Sequence, residues 1–184
     1  MLFVGRLLSH KGADVLVEAA EPGWEVVLCG RSYDLRYLDD VTSLAAGKQI
    51  TFLLSAADRE LDEAYARAAV VVVPSVATDR YGGTSQVTEL LGLVAIEAMA
   101  RGIPVVASRV ASLPEIVVDG VTGLLVPPGE APALREAVRG LLADPIRRAT
   151  MGQAARRRAA EHFTWSAAAD VAIAVYRQAL GAAA

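Results

Sequence analysis

Residues 91–108 read LGLVAIEAMARGIPVVAS, a helix-length apolar segment followed by a short valine-rich run. Earlier in the chain, the run VVVV (70–73) ends at Pro74, and a polar loop connects it to this stretch. Short apolar runs bounded by glycine and proline are typical of strands buried on both faces. Two such runs separated by one helix predict a crossover between parallel strands.

The same alternation runs from the first residue to about residue 128. Four further apolar runs are separated by helical segments: LFVG (2–5), WEVVLCG (24–30), QITFLL (49–54) and GLLVPP (123–128). We therefore predict an α/β fold, a doubly wound Rossmann-like parallel sheet of about six strands with helices on both faces. A ligand of such a sheet is expected at the carboxyl ends of the strands.

Residues 130–181 contain three helical segments with no strand between them, so a helical C-terminal tail is expected. Pro145 is placed to begin the second of these helices, and Thr164 to cap the third. The third helix carries an apolar stripe, formed by Ala168, Val171, Ala172, Val175, Tyr176 and Ala179. We find no internal repeat or linker, and residues 1–184 are predicted to be one domain.

Composition excludes several classes of protein. The 184 residues are 54% hydrophobic with a net charge of −3, which argues against disorder and against a general nucleic-acid binder. A single cysteine, Cys29, excludes a disulfide framework, and together with the lack of a signal-peptide layout it predicts a cytoplasmic location. No apolar run reaches the roughly 18 residues that a membrane span needs. No His, Asp or Glu cluster has metal-ligand spacing, so no metal site is expected.

The loop after the first predicted strand reads GRLLSHKG (5–12). Its flanking glycines allow a tight turn, and Arg6 and Lys11 would project to the strand ends, where an anion would bind. Lys11 is one of only two lysines among 18 basic residues. The loop is neither a dinucleotide fingerprint nor a P-loop, and two ordinary surface cations are the open alternative.

The loop and helix after the fourth strand form the second candidate site. Gly92 begins the helix, where free backbone N–H groups and the helix dipole suit a diphosphate. Glu89 and Glu97 are eight residues apart and are expected to face one cleft, where their oxygens could accept from sugar hydroxyls. Two alternatives stay open: Glu97 pairs with Arg101 one turn later, and Glu89 simply caps the helix.

Together these motifs resemble a known family. The series is GRL-x3-KG, then Pro-Ser, then Glu-x7-Glu ending in EAMARGIPVVAS, then LPEIVVDGVTGLLVPPG, with FTW at 163–165. It resembles the retaining glycosyltransferases of family 4 (glycosyl transferases group 1), and in particular their C-terminal nucleotide-sugar-binding domain. The resemblance covers essentially the whole chain.

The resemblance implies a GT-B fold, in which two Rossmann-like domains face each other across a cleft. It also implies roles for seven residues. Arg6 and Lys11 would neutralise the donor diphosphate, and Glu97 would accept from the ribose hydroxyls. Glu89 would contact the transferred sugar. The backbone amides that would hold the distal phosphate belong to Gly92, Leu93 and Val94. Glu89, Lys11 and Arg6 are the implied catalytic residues, and neither a metal nor another cofactor is expected.

The implied activity is transfer of a sugar from a UDP-, GDP- or ADP-sugar with retention of anomeric configuration. The implied partner is an N-terminal acceptor-binding domain, which this chain lacks and through which peripheral membrane association is conceivable. The isolated chain is therefore expected to bind the nucleotide sugar weakly and to transfer nothing. The alternatives are a non-catalytic nucleotide-sugar-binding module and, less favoured, a sugar-nucleotide epimerase.

The chain departs from the family pattern at several places, including Leu54 and Arg31-Ser32 near the expected nucleotide site. Residues 89–92 read ELLG instead of Glu-Gly-Phe-Gly, and the thirteen-residue loop 76–88, which borders the expected sugar site, is predicted to shape donor or acceptor choice. Ala111-Ser112 replaces a common Gly-Gly pair, and Ser112 with Glu115 is predicted to form a capping box. Elsewhere, Lys48 is expected to be a solvated turn residue, and the arginines of the second tail helix a solvated face (147, 148, 156, 157 and 158).

Overall fold

The computed structural model describes residues 1–85 and 88–181 as alternating strands and helices. The strands are β1 (Leu2–Val4), β2 (Val26–Cys29), β3 (Ile50–Leu53), β4 (Val71–Val73), β5 (Val105–Ser108) and β6 (Gly123–Val126). The helices are α1 (Ala13–Ala19), α2 (Leu35–Leu44), α3 (Asp58–Arg67), α4 (Leu93–Ala100), α5 (Leu113–Ile116), α6 (Ala131–Ala143), α7 (Pro145–His162) and α8 (Trp165–Gly181). All six predicted strands are confirmed.

The six strands form one parallel sheet in the order β3-β2-β1-β4-β5-β6. The order reverses between β1 and β4, which are neighbours through Leu2 and Val71. The loops that leave these two strands therefore separate toward opposite faces and open a crevice at the carboxyl edge. The first loop and the loop before α4, both singled out in the sequence, lie at this position.

Helices cover both faces of the sheet. Along β4, Val70 and Val72 pack into the core cluster under α1, α2 and α6, whereas Val71 and Val73 pack into the cluster under α3, α4 and α7. Side chains of a strand alternate between faces, so a run of four valines supplies both cores at once. Full burial of each valine contributes about 1.5–3 kcal/mol to folding.

The C-terminal helices begin where the sequence predicts. Helix α7 starts at Pro145, and the hydroxyl of Thr164 accepts a hydrogen bond from the backbone N–H of Ala167 in α8. Helix α8 has no buried side chain among its described residues. On the predicted apolar stripe, Val171 and Tyr176 are 66% and 69% exposed.

Two sequence predictions about basic residues need correction: the one for Lys48 is wrong, and the one for the α7 arginines is wrong for two of the five. The Lys48 ammonium donates to the carbonyl of Val17 near the end of α1, because the last carbonyls of a helix lack the usual N–H donor four residues later. Of the α7 arginines, Arg148 donates to the carbonyls of Leu141 and Leu142, and Arg158 to those of Glu115 and Ile116. The others, at 147, 156 and 157, are exposed as predicted.

Cys29 lies in the core, and burial raises the pKa of its thiol. Across residues 1–85 and 88–181, none of the helices has the length and apolarity that crossing a bilayer requires.

Candidate functional site

The first loop follows β1 and is held close to the end of β4. Residues Ser9–Lys11 form one 3₁₀ turn, which ends at Gly12 with φ at +71°. A Cβ atom at Gly12 would lie 2.0 Å from the carbonyl oxygen of Pro74. Only glycine fits there, both for its left-handed backbone and for this close approach. The loop that carries Lys11 is thereby pressed against the residues that follow β4.

Lys11 and Glu89 form an ion pair at this point, 78 residues apart in the chain. The ammonium of Lys11 lies 2.7 Å from Oε2 of Glu89 and donates to the carbonyl oxygen of Thr88 at 2.9 Å. The hydroxyl of Ser75, which is fully buried, donates to the same Oε2 at 3.2 Å. The two charged side chains are only 16% and 14% exposed. The Glu89 side chain therefore does not cap α4, which was one of the alternatives.

Arg6 and His10 add basic groups beside this pair. Arg6 is exposed at the carboxyl edge of the sheet. Partial burial, followed by the charges of Lys11 and Arg6, lowers the pKa of His10 below its usual value. His10 is therefore mainly neutral near pH 7, and the positive charge of this loop belongs to Arg6 and Lys11.

Helix α4 begins next to the ion pair. Its N-cap is Gly92, with φ at +55°, and a Cβ atom there would lie 2.3 Å from Cδ1 of Ile116. The N–H groups of Gly92, Leu93 and Val94 precede the first hydrogen bond within the helix, which Ala95 donates to Gly92. These three amides, to which the family resemblance gives a phosphate-binding role, are the donors that a helix start offers to an anion.

The structure of the segment before Leu113 contradicts the predicted capping box. Ser112 makes no side-chain capping bond, and its hydroxyl donates to the carbonyl of Glu89 at 3.1 Å. The predicted capping box of Ser112 and Glu115 is wrong, because the hydroxyl ties the loop of Glu89 to the end of β5 instead. Ala111 keeps the left-handed backbone of a glycine, with φ at +49°.

Glu97 lies on the exposed side of α4, and its carboxylate is held by a residue outside the seven that the family resemblance implies. The buried Tyr65 of α3 donates its hydroxyl to Oε2 of Glu97 at 2.9 Å. The pairing of Glu97 with Arg101 is wrong at the side-chain level, because the Arg101 guanidinium pairs with Asp62 at 2.8 Å. Nothing in the spacing of Tyr65 distinguishes it from an ordinary core residue.

Part of the long loop 76–88 forms a small hairpin, in which Thr78 pairs with Thr84. Its Asp79 accepts from the hydroxyl of Ser9 at 2.6 Å, and this bond lowers the pKa of the Asp79 carboxyl. Tyr81 donates to Asp40 of α2 at 2.6 Å. The hairpin is thus anchored to the first loop and to α2, and residues 86 and 87 lie outside the described residues.

The seven predicted site residues lie on the open carboxyl edge of the sheet and the helix that follows it. A cavity of about 640 Å³ lies at the opposite edge, beside Val26, Ile50 and Ala64, and contains none of them. Among the residues that the structure describes, no group of three or more His, Cys, Asp or Glu side chains could hold a metal ion.

Solved structures define the class of this fold. The chain is similar to the HepE protein of Anabaena in complex with UDP and glucose, with a TM-score of 0.80 and 25% identity, over 96% of this chain and 47% of that one. It is also similar to the C-terminal domain of a glycosyl transferase group 1 family protein from Francisella tularensis, with a TM-score of 0.72 and 25% identity, over 89% and 85%. The fold is that of the C-terminal half of GT-B proteins.

The family follows from sequence comparison. The family model for glycosyl transferases group 1 matches residues 1–158, and the chain belongs to this family. It is 39% identical over 189 aligned residues to the D-inositol 3-phosphate glycosyltransferase of Corynebacterium diphtheriae, covering 96% of this chain and 42% of that protein. The chain spans about half the length of the curated relatives it matches.

Proposed function

We propose that this chain is the donor-binding half of a retaining glycosyltransferase that takes a sugar from a nucleotide-diphospho-sugar. One observation carries the proposal: the Lys11–Glu89 pair lies beside the open start of α4 at the point where the strand order reverses. Glycosyltransferase relatives and the Anabaena complex with UDP and glucose support it. The acceptor-binding half would be a separate N-terminal domain, and residues 1–184 would form one domain.

The leaving group of this reaction is a nucleoside diphosphate, which develops negative charge as the sugar departs. Fixed positive charge and preorganised N–H groups stabilise such a transition state. Arg6 and Lys11 would supply the charge, and the amides of Gly92, Leu93 and Val94 would bind the distal phosphate. Each charge-assisted hydrogen bond contributes about 1.5–3 kcal/mol. This arrangement would need no metal or other cofactor.

The ion pair leaves both partners capacity for a ligand. An ammonium has three N–H donors, and Lys11 uses two of them on Thr88 and Glu89. The third would donate to a phosphate oxygen. Within the described residues, the side-chain contacts of Glu89 fall on Oε2, so Oε1 would accept from a hydroxyl of the transferred sugar. Glu97 would accept from the ribose hydroxyls.

Calorimetric titration of this chain with UDP, GDP and ADP tests the proposal. We expect binding to at least one of them, reduced by Lys11→Ala about tenfold or more, since that change removes a charged donor. Arg157→Ala, which removes an exposed cation on α7, serves as the matched control and should leave the affinity unchanged. Binding to none of the three nucleotides, or an equal affinity of Lys11→Ala and the parent chain, would contradict the site.

Transfer itself is tested with the chain joined to its acceptor-binding half. We expect a glycoside product whose anomeric configuration matches the donor, while the chain alone transfers nothing. Transfer by the isolated chain would contradict a half-enzyme. An isomerised sugar nucleotide would identify an epimerase, and nucleotide-sugar binding without turnover in the joined protein would identify a non-catalytic module. A cytoplasmic location stays a prediction.

A further inference from the structure

We propose that Tyr65 is a positioning residue, which fixes the Glu97 carboxylate so that it selects a ribonucleotide by its ribose hydroxyls. The inference rests on the proposed function, in which Glu97 binds the ribose. Tyr65 itself would not touch the nucleotide. It would act through the hydrogen bond from its hydroxyl to Oε2 of Glu97, 2.9 Å long.

Tyr65 and Glu97 differ sharply in burial. Tyr65 is 1% exposed and packs in the core cluster that also contains Ala98 and Met99 of α4. Glu97 is exposed and carries three rotatable side-chain bonds. A glutamate side chain loses up to about 1.5–2 kcal/mol of rotamer entropy when it is ordered. A buried phenol that holds one carboxylate oxygen would lower this cost before a ligand binds and would leave the other oxygen to accept from it.

The group that anchors the Glu97 carboxylate, the Tyr65 hydroxyl, is neutral. The cation nearest in sequence, Arg101, is held elsewhere: it pairs with Asp62, stacks over the Tyr65 ring at 4.4 Å and reaches only the backbone carbonyl of Glu97. Burial, followed by the charge of Glu97, raises the pKa of Tyr65, so its hydroxyl stays a donor at physiological pH. Tyr65 therefore holds Glu97 as a hydrogen-bond donor and adds no positive charge that would compete with the hydroxyls of a ligand.

Ribose selectivity is the readout that separates positioning from structural support. The chain is titrated by calorimetry with the nucleoside diphosphate it binds best and with the 2′-deoxy form of the same nucleotide. We expect the parent chain to prefer the ribonucleotide. Tyr65→Phe, which keeps the ring in the core, should lower this preference about three- to tenfold. That change corresponds to part of the free energy of one charge-assisted hydrogen bond. The variant's affinity for the 2′-deoxy form should fall less, because Glu97 then accepts only from the 3′-hydroxyl.

The matched control is Tyr37→Phe, which removes another buried hydroxyl, the one that donates to Asp14 on the other face of the sheet. Thermal melts confirm that both variants are folded, and we expect the control to keep the ribose preference. In a Glu97→Gln background, Tyr65→Phe should have no further effect on selectivity, because coupled residues are not additive.

The outcomes distinguish the inference from the function on which it rests. If the parent chain binds nucleotides but does not discriminate ribose from deoxyribose, the assignment of Glu97 fails, and the positioning role fails with it. If the parent chain discriminates and Tyr65→Phe keeps the full preference, only the positioning role is overturned. Equal loss of affinity for both nucleotides in Tyr65→Phe would also overturn it, since a structural defect has that signature.

Discussion

The ammonium of Lys11 lies 2.7 Å from the carboxylate of Glu89, so two residues to which the family resemblance gives separate parts of a substrate are paired with each other. In the proposed site, Lys11 contacts the diphosphate and Glu89 the sugar. Their pairing joins these two subsites. It also means that part of the positive charge facing a phosphate is already neutralised before any ligand binds.

Glu89→Gln tests this relationship. The change removes a negative charge beside Lys11 but keeps a group that can hydrogen-bond. Two unit charges at 4 Å interact by about 4 kcal/mol near a protein surface. The Glu89 carboxylate would repel a bound diphosphate, and even a screened fraction of that energy is measurable. We expect the affinity for a nucleoside diphosphate to rise about three- to tenfold, measured by calorimetry, while sugar transfer by the joined two-domain protein falls. A weaker affinity would show that Glu89 serves mainly to orient Lys11.

Gly12→Ala tests the approach of the first loop to β4. The new Cβ atom would meet the Pro74 carbonyl at 2.0 Å, in a backbone conformation with φ at +71°. We expect the free energy of unfolding to fall by about 3 kcal/mol or more, because strain and a steric clash add together. Gly47→Ala is the control, with φ at +76° but open space around it. Its cost in chemical denaturation should be about 1–2 kcal/mol, and equal costs for the two variants would contradict the close contact between Gly12 and Pro74.

Ser112→Ala and Glu115→Ala separate the observed contact from a capping box. The Ser112 hydroxyl donates to the Glu89 carbonyl, whereas Glu115 is exposed. Ser112→Ala should lower the free energy of unfolding by about 1 kcal/mol and should also weaken nucleotide binding. Glu115→Ala should change stability by less than about 0.5 kcal/mol. Matching losses in the two variants, measured by urea denaturation, would restore the capping box.

The lowered pKa of His10 predicts a pH dependence of stability. Its protonated form is disfavoured in the folded chain, so the unfolded chain binds the proton more readily. The stability that neutral His10 contributes is therefore complete above pH 6.5 and is lost as the pH falls below that value. The melting temperature of the parent chain, measured relative to that of His10→Gln, should fall as the pH is lowered from 7.5 to about 5.5. A constant difference across this range would contradict the prediction.

The pattern of local signals predicted the fold well. The six apolar runs, including VVVV at 70–73, form six parallel strands. Helix α7 begins at Pro145 and Thr164 caps α8, as expected. These features follow from local signals: side-chain periodicity, the missing N–H of proline and the hydroxyl of a capping residue. Each involves only residues close together in the chain. The partner of Lys48 was not predictable, because it lies 31 residues away.

The sequence by itself determined the class of fold, the family pattern and which residues have chemistry to offer at the carboxyl edge of the sheet. Only the tertiary structure decided what those residues contact: Lys11 pairs with Glu89 across 78 positions, and Tyr65 holds Glu97 across 32. The reason is physical. Spacing along a strand or helix sets which way a side chain faces, but the partner of a charged group depends on which distant loops the order of the strands brings together.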